Sequence, residues 1–174
     1  MAGWRISGAW KPNILRDISV LCLTDLEVAA RKHVRYLRDR DSRAFSAVTV
    51  FCGYRRLIVH NDGHSLERQA SNVTHELSHA LLRHPPTPAL DDVGCRRWDQ
   101  NVEDEAQFLA GVLLLPGDAC IAMVFQKATI DEVAAHFSIS SHMAHYRLNI
   151  SGALKIAARA RHRRENRVSD HGRQ

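Results

Sequence analysis

Two histidines and a glutamate within five residues give this sequence its clearest chemical signal. They lie in the segment HELSH at residues 75–79, which has the pattern HExxH. Residues four apart lie on the same face of a helix, one turn apart, so His75 and His79 can face one cation, and neutral imidazole nitrogens suit Zn²⁺. Glu76 projects from the adjacent face, where its carboxylate can take a proton from water as the water attacks a carbonyl. The pattern therefore predicts a zinc hydrolase in which the histidines are ligands and the glutamate is the catalytic base.

A catalytic zinc site needs a third protein ligand, most simply a carboxylate. A second long helix supplies Glu103, Asp104 and Glu105 within one turn. Glu105 shares a helical face with Leu109 and Val112, and a carboxylate on a buried stripe is costly unless it is paired or binds a metal. We therefore predict Glu105 as the third ligand, with Glu103 as the alternative. The same donor set also suits Mn²⁺ or Fe²⁺.

Several other side chains could assist this chemistry, but no spacing selects among them. A polar group that stabilises the developing oxyanion is expected in such a site. The candidates are His84, His142, His145, Tyr54 and Tyr146. Cys95 lies in a proline-rich loop and its thiolate could occupy the open metal position, although a packed loop cysteine is the simpler interpretation.

The chain before the HExxH segment predicts one helix and a β-hairpin. Thr24 and Glu27 have the pattern of a capping box, which would open a helix from about Asp25 to Arg38. Two runs rich in β-branched residues, Ala47–Cys52 and Arg56–His60, are separated by a short turn and predict antiparallel strands. The second strand is expected to be an edge strand, to which an extended peptide could add.

Two long helices follow, and together they carry the predicted metal site. Ser65 is a suitable N-cap for the first, from about Leu66 to Arg83, which must end before the two prolines that follow. Asp99 or Asn101 would cap the second, which is expected to end near Leu115.

The chain from Asp118 onward predicts three short helices and a basic end. The helices are expected at about Asp118–Gln126, Ile130–His136 and Ser141–Leu148, and Gly152 separates them from a final basic helix. The resulting class is α+β, mostly helical with a small antiparallel sheet.

Residues 129–148 have the pattern of a bihelical unit of the helix-turn-helix type. Thr129 and Glu132 predict a capping box for its first helix, and a serine at 140 or 141 would cap the second. The second helix offers Arg147 and no lysine, whereas binding to phosphates normally needs more positive charge. We therefore predict a packing or substrate-docking element, and direct nucleic-acid binding is not expected.

Composition favours one globular domain with a small appendage. The chain has 174 residues, of which 45% are hydrophobic and 25% are charged. Its formal net charge of +5 lies in the last twenty residues, which hold seven Lys/Arg and two Asp/Glu, so the remainder is neutral. No stretch is long enough for a membrane span or has the form of a secretory signal. Since the four cysteines also lack a CxxC pair, we expect a cytoplasmic protein.

Three segments resemble the ImmA/IrrE-type metallopeptidases. They are QASNVTHELSHALL at residues 69–82, EDEAQFLAGVLLLP at 103–116 and IDEVAAHFSISSHMAHYRL at 130–148. The second segment is similar to the family's helix of form ExEAxxFAxxLLxP, except that Leu109 replaces its phenylalanine. The resemblance covers about Arg56 to Gly152.

This resemblance implies a gluzincin-like zinc endopeptidase that cleaves a co-encoded helix-turn-helix repressor. It implies His75, His79 and Glu105 as ligands and Glu76 as the catalytic glutamate. From the resemblance together with the charge pattern, we expect a zincin-like peptidase domain over residues 1–126, a helical subdomain over 127–152 and a basic tail over 153–174. The alternative is a non-catalytic regulator, stabilised by metal, that binds DNA or a repressor protein through residues 129–148 and the basic tail.

Overall fold

The structure is a computed structural model that describes residues 17–53, 55–85 and 99–171. Tyr54 and Cys95, two of the candidates above, lie outside these residues, as does most of the proline-rich loop. The elements in chain order are β1 (Ile18–Cys22), a 3₁₀ turn (Leu23–Leu26), α1 (Glu27–Arg35) with a π-helical turn (Tyr36–Arg40), β2 (Ala47–Cys52), β3 (Arg55–His60), α2 (Leu66–Leu81), α3 (Gln100–Leu114), α4 (Gly117–Phe125), α5 (Ile130–Phe137), α6 (Ser141–Ile150) and α7 (Ala153–His171). The α+β class and its mostly helical character are confirmed.

The small sheet is mixed rather than antiparallel. Its strand order is β1-β3-β2, with β2 antiparallel to β3 and β1 parallel to β3. The prediction that the second hairpin strand lies at an edge is therefore wrong. The short run Ile18–Cys22 was not recognised as a strand, and it pairs with the side of β3 that the hairpin leaves open. The edge strand beside the HExxH helix is β2.

The first helix begins differently from its prediction because its capping residue has a distant partner. The Thr24 hydroxyl donates to the Asp62 carboxylate, and the Thr24 amide donates to the same group at 3.2 Å. The carboxylate that caps this turn is Asp25, which accepts from the Cys22 amide at 2.9 Å. The predicted capping box of Thr24 and Glu27 is therefore wrong, and the α-helix starts at Glu27 rather than Asp25.

The two long helices have the predicted caps and pack against each other through small residues. The Ser65 hydroxyl accepts from the amide of Arg68 at 3.4 Å, and the Asp99 carboxylate accepts from two amides in the first turn of α3. Ala80 on α2 and Ala106 and Ala110 on α3 are fully buried. Small side chains let two helix backbones approach closely, so they set the distance across which the site residues face one another.

The second half of the chain is a helical unit formed by α4–α7. The predicted capping box is present, since the Thr129 amide donates to the Glu132 carboxylate at 2.7 Å and the Glu132 amide donates to the Thr129 hydroxyl at 3.2 Å. Gly152, with φ of +76°, separates α6 from α7. The unit surrounds an apolar core whose buried members are Leu115, Cys120, Val133, Ala134, Ile139, Met143, Ala144, Leu148 and Ala153.

Two consecutive apolar helices of the described chain are bent relative to each other. Helices α3 and α4 meet at an angle of 52°. Within the ranges given above, no single helix is both long and apolar enough to cross a membrane. Helices α3 and α4 reach the necessary length and apolar composition only when they are taken together.

Candidate metal centre

The two histidines of the HExxH segment face each other on α2, as the helical spacing predicts. Their Nε2 atoms lie 3.1 Å apart, and the ring centroids are 4.7 Å apart with the planes nearly perpendicular. Both side chains are largely buried, and burial is the main factor that lowers the pKa of His79 below its ordinary value, with the neighbouring His75 adding to the effect. A neutral imidazole keeps a lone pair for a metal.

The carboxylate that completes this cluster is Glu103. Its Oε2 atom lies 3.1 Å from His75 Nε2 and 3.6 Å from His79 Nε2. In a tetrahedral site with zinc–ligand bonds of about 2.0–2.1 Å, neighbouring donor atoms lie about 3.3 Å apart. The three separations of 3.1, 3.1 and 3.6 Å bracket this value. The donor types and their spacing therefore fit a divalent ion such as Zn²⁺.

Glu105, the carboxylate favoured by periodicity and by resemblance, does not join the cluster. Its side chain is 66% exposed, and its Oε2 atom lies 3.2 Å from His84 Nε2. The buried face of α3 is formed by Ala106, Ala110 and Gly111, whereas the large apolar residues that we took as its inner side are only half-buried. Glu103 precedes Ala106 and Ala110 by three and seven residues, so it shares their face. Among the described residues, the geometry therefore favours Glu103 over Glu105 as the third ligand.

Glu76 lies beside this cluster and is held by a residue of the sheet. Thr49 on the edge strand β2 donates its hydroxyl hydrogen to Glu76 Oε2 at 2.5 Å. The contact fixes one carboxylate oxygen and leaves Oε1 for other partners. The sequence analysis did not find Thr49, although strand alternation offers a signal: Thr49 follows the outward-facing Val48 and precedes the outward-facing Val50.

His75, Glu76 and Glu103 border one cavity, of about 370 Å³, between α2, α3 and the start of β2. Its lining includes His75, Glu76 and Glu103 together with polar side chains of α3. Ser46 and Ala47 close one side, where the edge strand begins. An extended chain in this cavity would therefore run alongside β2.

His84, which was considered only as an oxyanion donor, contacts a histidine of the cluster. Its Nδ1 atom lies 2.8 Å from His79 Nδ1, and its Nε2 atom lies 3.2 Å from the Glu105 carboxylate. The residue is almost completely buried. Its role as an oxyanion donor gains no support from these contacts, because both ring nitrogens already have partners.

The remaining candidates on α6 lie apart from the cavity lining. His142 and His145 are exposed, and His145 lies within hydrogen-bond distance of Asn149 on the same helix. Tyr146 packs against the apolar core of the α4–α7 unit. Of the residues that the structure describes, those that border the cavity beside His75 and Glu76 do not include His142, His145 or Tyr146.

The arginine of the bihelical unit is buried rather than available to phosphates. Arg147 is 2% exposed, and its Nε atom donates to the Leu115 carbonyl at 3.0 Å. Its guanidinium lies 5.7 Å from the centre of the Phe108 ring. This side chain therefore joins α6 to the end of α3, as expected for a packing element.

Comparison with known proteins connects this geometry to a family. The family model described as the IrrE N-terminal-like domain, Peptidase_M78, matches residues 19–149. The match covers the sheet, both long helices and the bihelical unit, and it extends further toward the N-terminus than the resemblance noted above. No curated protein and no solved structure matches the chain.

Proposed function

Because this chain belongs to the Peptidase_M78 family and carries a metallopeptidase-type domain, we propose that it is a zinc-dependent endopeptidase that hydrolyses a peptide bond in a protein. The observation that carries the proposal is the cluster of His75, His79 and Glu103, whose donor atoms have the spacing of a tetrahedral zinc site. A proton-transferring carboxylate, Glu76, lies in the same cavity.

The ligands in this proposal are the Nε2 atoms of both histidines and the carboxylate of Glu103. Three protein ligands leave a position for water or substrate, which is the arrangement of catalytic rather than structural zinc sites. When bound, Zn²⁺ supplies a Lewis acid that polarises a peptide carbonyl and lowers the pKa of water.

Glu76 acts as the general base and then as the general acid. Since Thr49 occupies its Oε2 atom, Oε1 is the oxygen that takes a proton from the attacking water. The same oxygen can return that proton to the leaving nitrogen, which needs it in order to depart as an amine. The hydrogen bond from Thr49 keeps the carboxylate in one orientation throughout.

The substrate segment binds in an extended conformation along β2. A peptide that adds to an exposed strand gains main-chain hydrogen bonds without regard to its side chains. In the part of the chain that the structure describes, β2 pairs with β3 alone, so its other side is open to such a peptide. The resemblance to ImmA/IrrE-type enzymes supports a helix-turn-helix repressor encoded beside this gene as the substrate, and thus a role in transcription regulation.

The test compares Glu76→Gln with a matched change on the same helix, Glu67→Gln. The purified neighbouring repressor is incubated with each zinc-loaded protein, and bound zinc is measured in parallel. We expect Glu76→Gln to keep one zinc and to cleave about 10²–10⁴-fold more slowly, since it lacks the group that transfers the proton. The exposed Glu67→Gln should cleave as fast as the wild type.

Two results would contradict the proposal at different levels. Equal cleavage by Glu76→Gln and the wild type would reject the peptidase mechanism. Cleavage of an unfolded protein such as casein, with the repressor left intact, would keep the mechanism and reject the substrate.

A further inference from the structure

We propose that His84 is a positioning residue for the metal site, which holds His79 in the Nδ1–H tautomer so that its Nε2 lone pair faces the ion. Two hydrogen bonds connect His79 to His84 and His84 to Glu105, and the Glu105 carboxylate determines the direction of both. The inference rests on the proposed function only in taking His79 as a ligand. It gives a role to the carboxylate that the sequence suggested as a ligand.

The end of α2 places His84 against His79. Arg83 adopts a left-handed conformation, with φ of +59°, and its amide donates to the Ala80 carbonyl. The His84 amide then donates to the His79 carbonyl at 2.9 Å. These two bonds form a Schellman motif, which reverses the chain over the last turn of a helix. The backbone of the cap thus brings the two imidazoles together.

The carboxylate determines where each proton lies in this chain. An ionised carboxylate can only accept, so Glu105 receives the hydrogen of His84 Nε2. A neutral imidazole has one donor and one acceptor, so His84 Nδ1 is then an acceptor. In the neutral form of His84 that donates from Nε2, the Nδ1 atom accepts the hydrogen of His79 Nδ1, 2.8 Å away. That assignment leaves the lone pair of His79 on Nε2, the atom that faces His75 and Glu103.

The other histidine of the cluster is not held in this way. His75 Nδ1 is buried and has no hydrogen-bond partner among the described residues. Ligand histidines usually donate their second ring N–H to an acceptor, which fixes both tautomer and ring orientation. His79 meets this requirement through a second imidazole, and it is therefore the better oriented of the two ligands before metal binds.

The first test measures zinc affinity by competition with a chelator. Removing an outer partner of a ligand histidine typically weakens metal affinity about 10–100-fold, and we expect a loss of this size for His84→Ala. His84→Asn should recover most of the affinity, because its amide oxygen can accept from His79 Nδ1–H. His142→Ala, which removes an exposed histidine of α6, is the matched control and should bind zinc like the wild type. Affinity of His84→Ala equal to that of the wild type would overturn the inference.

The second test reads the tautomers directly and needs neither a variant nor activity. Long-range ¹H–¹⁵N NMR of the histidine rings distinguishes a hydrogen on Nδ1 from one on Nε2. In the metal-free and in the zinc-loaded wild type, we expect His79 protonated at Nδ1 and His84 protonated at Nε2. The opposite assignment for either ring would overturn the inference, whatever the variants do.

The two proposals fail separately. Zinc binding with the expected tautomers but without peptide cleavage would reject the peptidase function and keep the role of His84. Cleavage that depends on Glu76, together with unchanged zinc affinity in His84→Ala, would keep the peptidase function and reject the role of His84. Circular dichroism of the metal-free variants shows whether each one folds, and a misfolded His84→Ala leaves His84→Asn and the tautomers to decide.

Discussion

The cavity between α2 and α3 and the core of the α4–α7 unit are formed by different kinds of side chain. The cavity is lined by His75, by carboxylates and by other polar side chains, and small alanines are buried on its two helices. The α4–α7 unit instead surrounds leucine, valine, isoleucine and methionine side chains. The function proposed for the first region depends on which way a few polar side chains point, whereas stability of the second depends on how well apolar volume is filled. The same chain therefore keeps its chemistry and its main apolar packing in different places.

The largest effect should follow from a cavity in the helical unit. Leu148 is 6% exposed in its core, and Leu148→Ala should lower the free energy of unfolding by about 2–5 kcal/mol. Ile150→Ala removes an apolar side chain two residues further along α6, where it is 52% exposed, and serves as the control with a much smaller effect. Urea unfolding measures both. If the folded Leu148→Ala protein also lost zinc affinity, the separation of the two regions would be wrong.

The next effect concerns the two carboxylates of α3. Glu103→Gln should weaken zinc binding by more than about 100-fold, because a change at a ligand exceeds the usual effect of an outer partner. Glu105→Gln still offers an oxygen to His84 and should weaken binding less than about 10-fold. Chelator competition ranks the two variants. The reverse order would restore Glu105 as the ligand and reject the geometry described here.

That His75 and His79 face each other was predictable from sequence, but which carboxylate lies with them was not. Two histidines four residues apart on one helix must share a face, whatever surrounds that helix. The choice between Glu103 and Glu105 depends instead on the rotation of α3 about its own axis, which is set by its contacts with α2. Periodicity gave weight to Leu109 and Val112, but the face of α3 that is buried carries Ala106 and Ala110 together with Gly111, which lies against Arg147 of α6.

The distinction between local and long-range contacts also explains which helix caps and strands could be predicted. The caps at Ser65, Asp99 and Thr129 are local hydrogen bonds within three residues; Ser65 and Thr129 were predicted, and Asp99 was one of two predicted candidates with Asn101. The cap at Thr24 failed because Asp62, 38 residues away, takes its hydroxyl. Strand β1 is short and carries no local signal, since what makes it a strand is the open side of β3.

A smaller effect should appear where the two regions meet. A Cβ atom at Gly111 on α3 would lie 2.8 Å from the Cδ atom of Arg147, a contact that requires the buried arginine to move. Gly111→Ala should therefore destabilise the protein by about 1–3 kcal/mol. Gly117→Ala is the matched control, because no atom lies within 4 Å of the added carbon, and it should leave stability unchanged or raise it by up to about 1 kcal/mol. Equal thermal unfolding midpoints for the two variants would contradict the close contact between α3 and α6.

The smallest effect should come from the capping box of α5 and depends on pH. Hydrogen bonds from the Thr129 amide, and then from its hydroxyl, lower the pKa of Glu132 from its ordinary value of 4.5. Since the folded protein binds this proton less readily than the unfolded chain, the stabilisation is fully present above pH 4.5 and is lost as the pH falls through the lower folded pKa. The wild type should therefore exceed Glu132→Gln in free energy of unfolding at neutral pH, with the difference shrinking in acid. A difference that stays constant down to pH 3 would show that the charge of Glu132 contributes nothing to the cap.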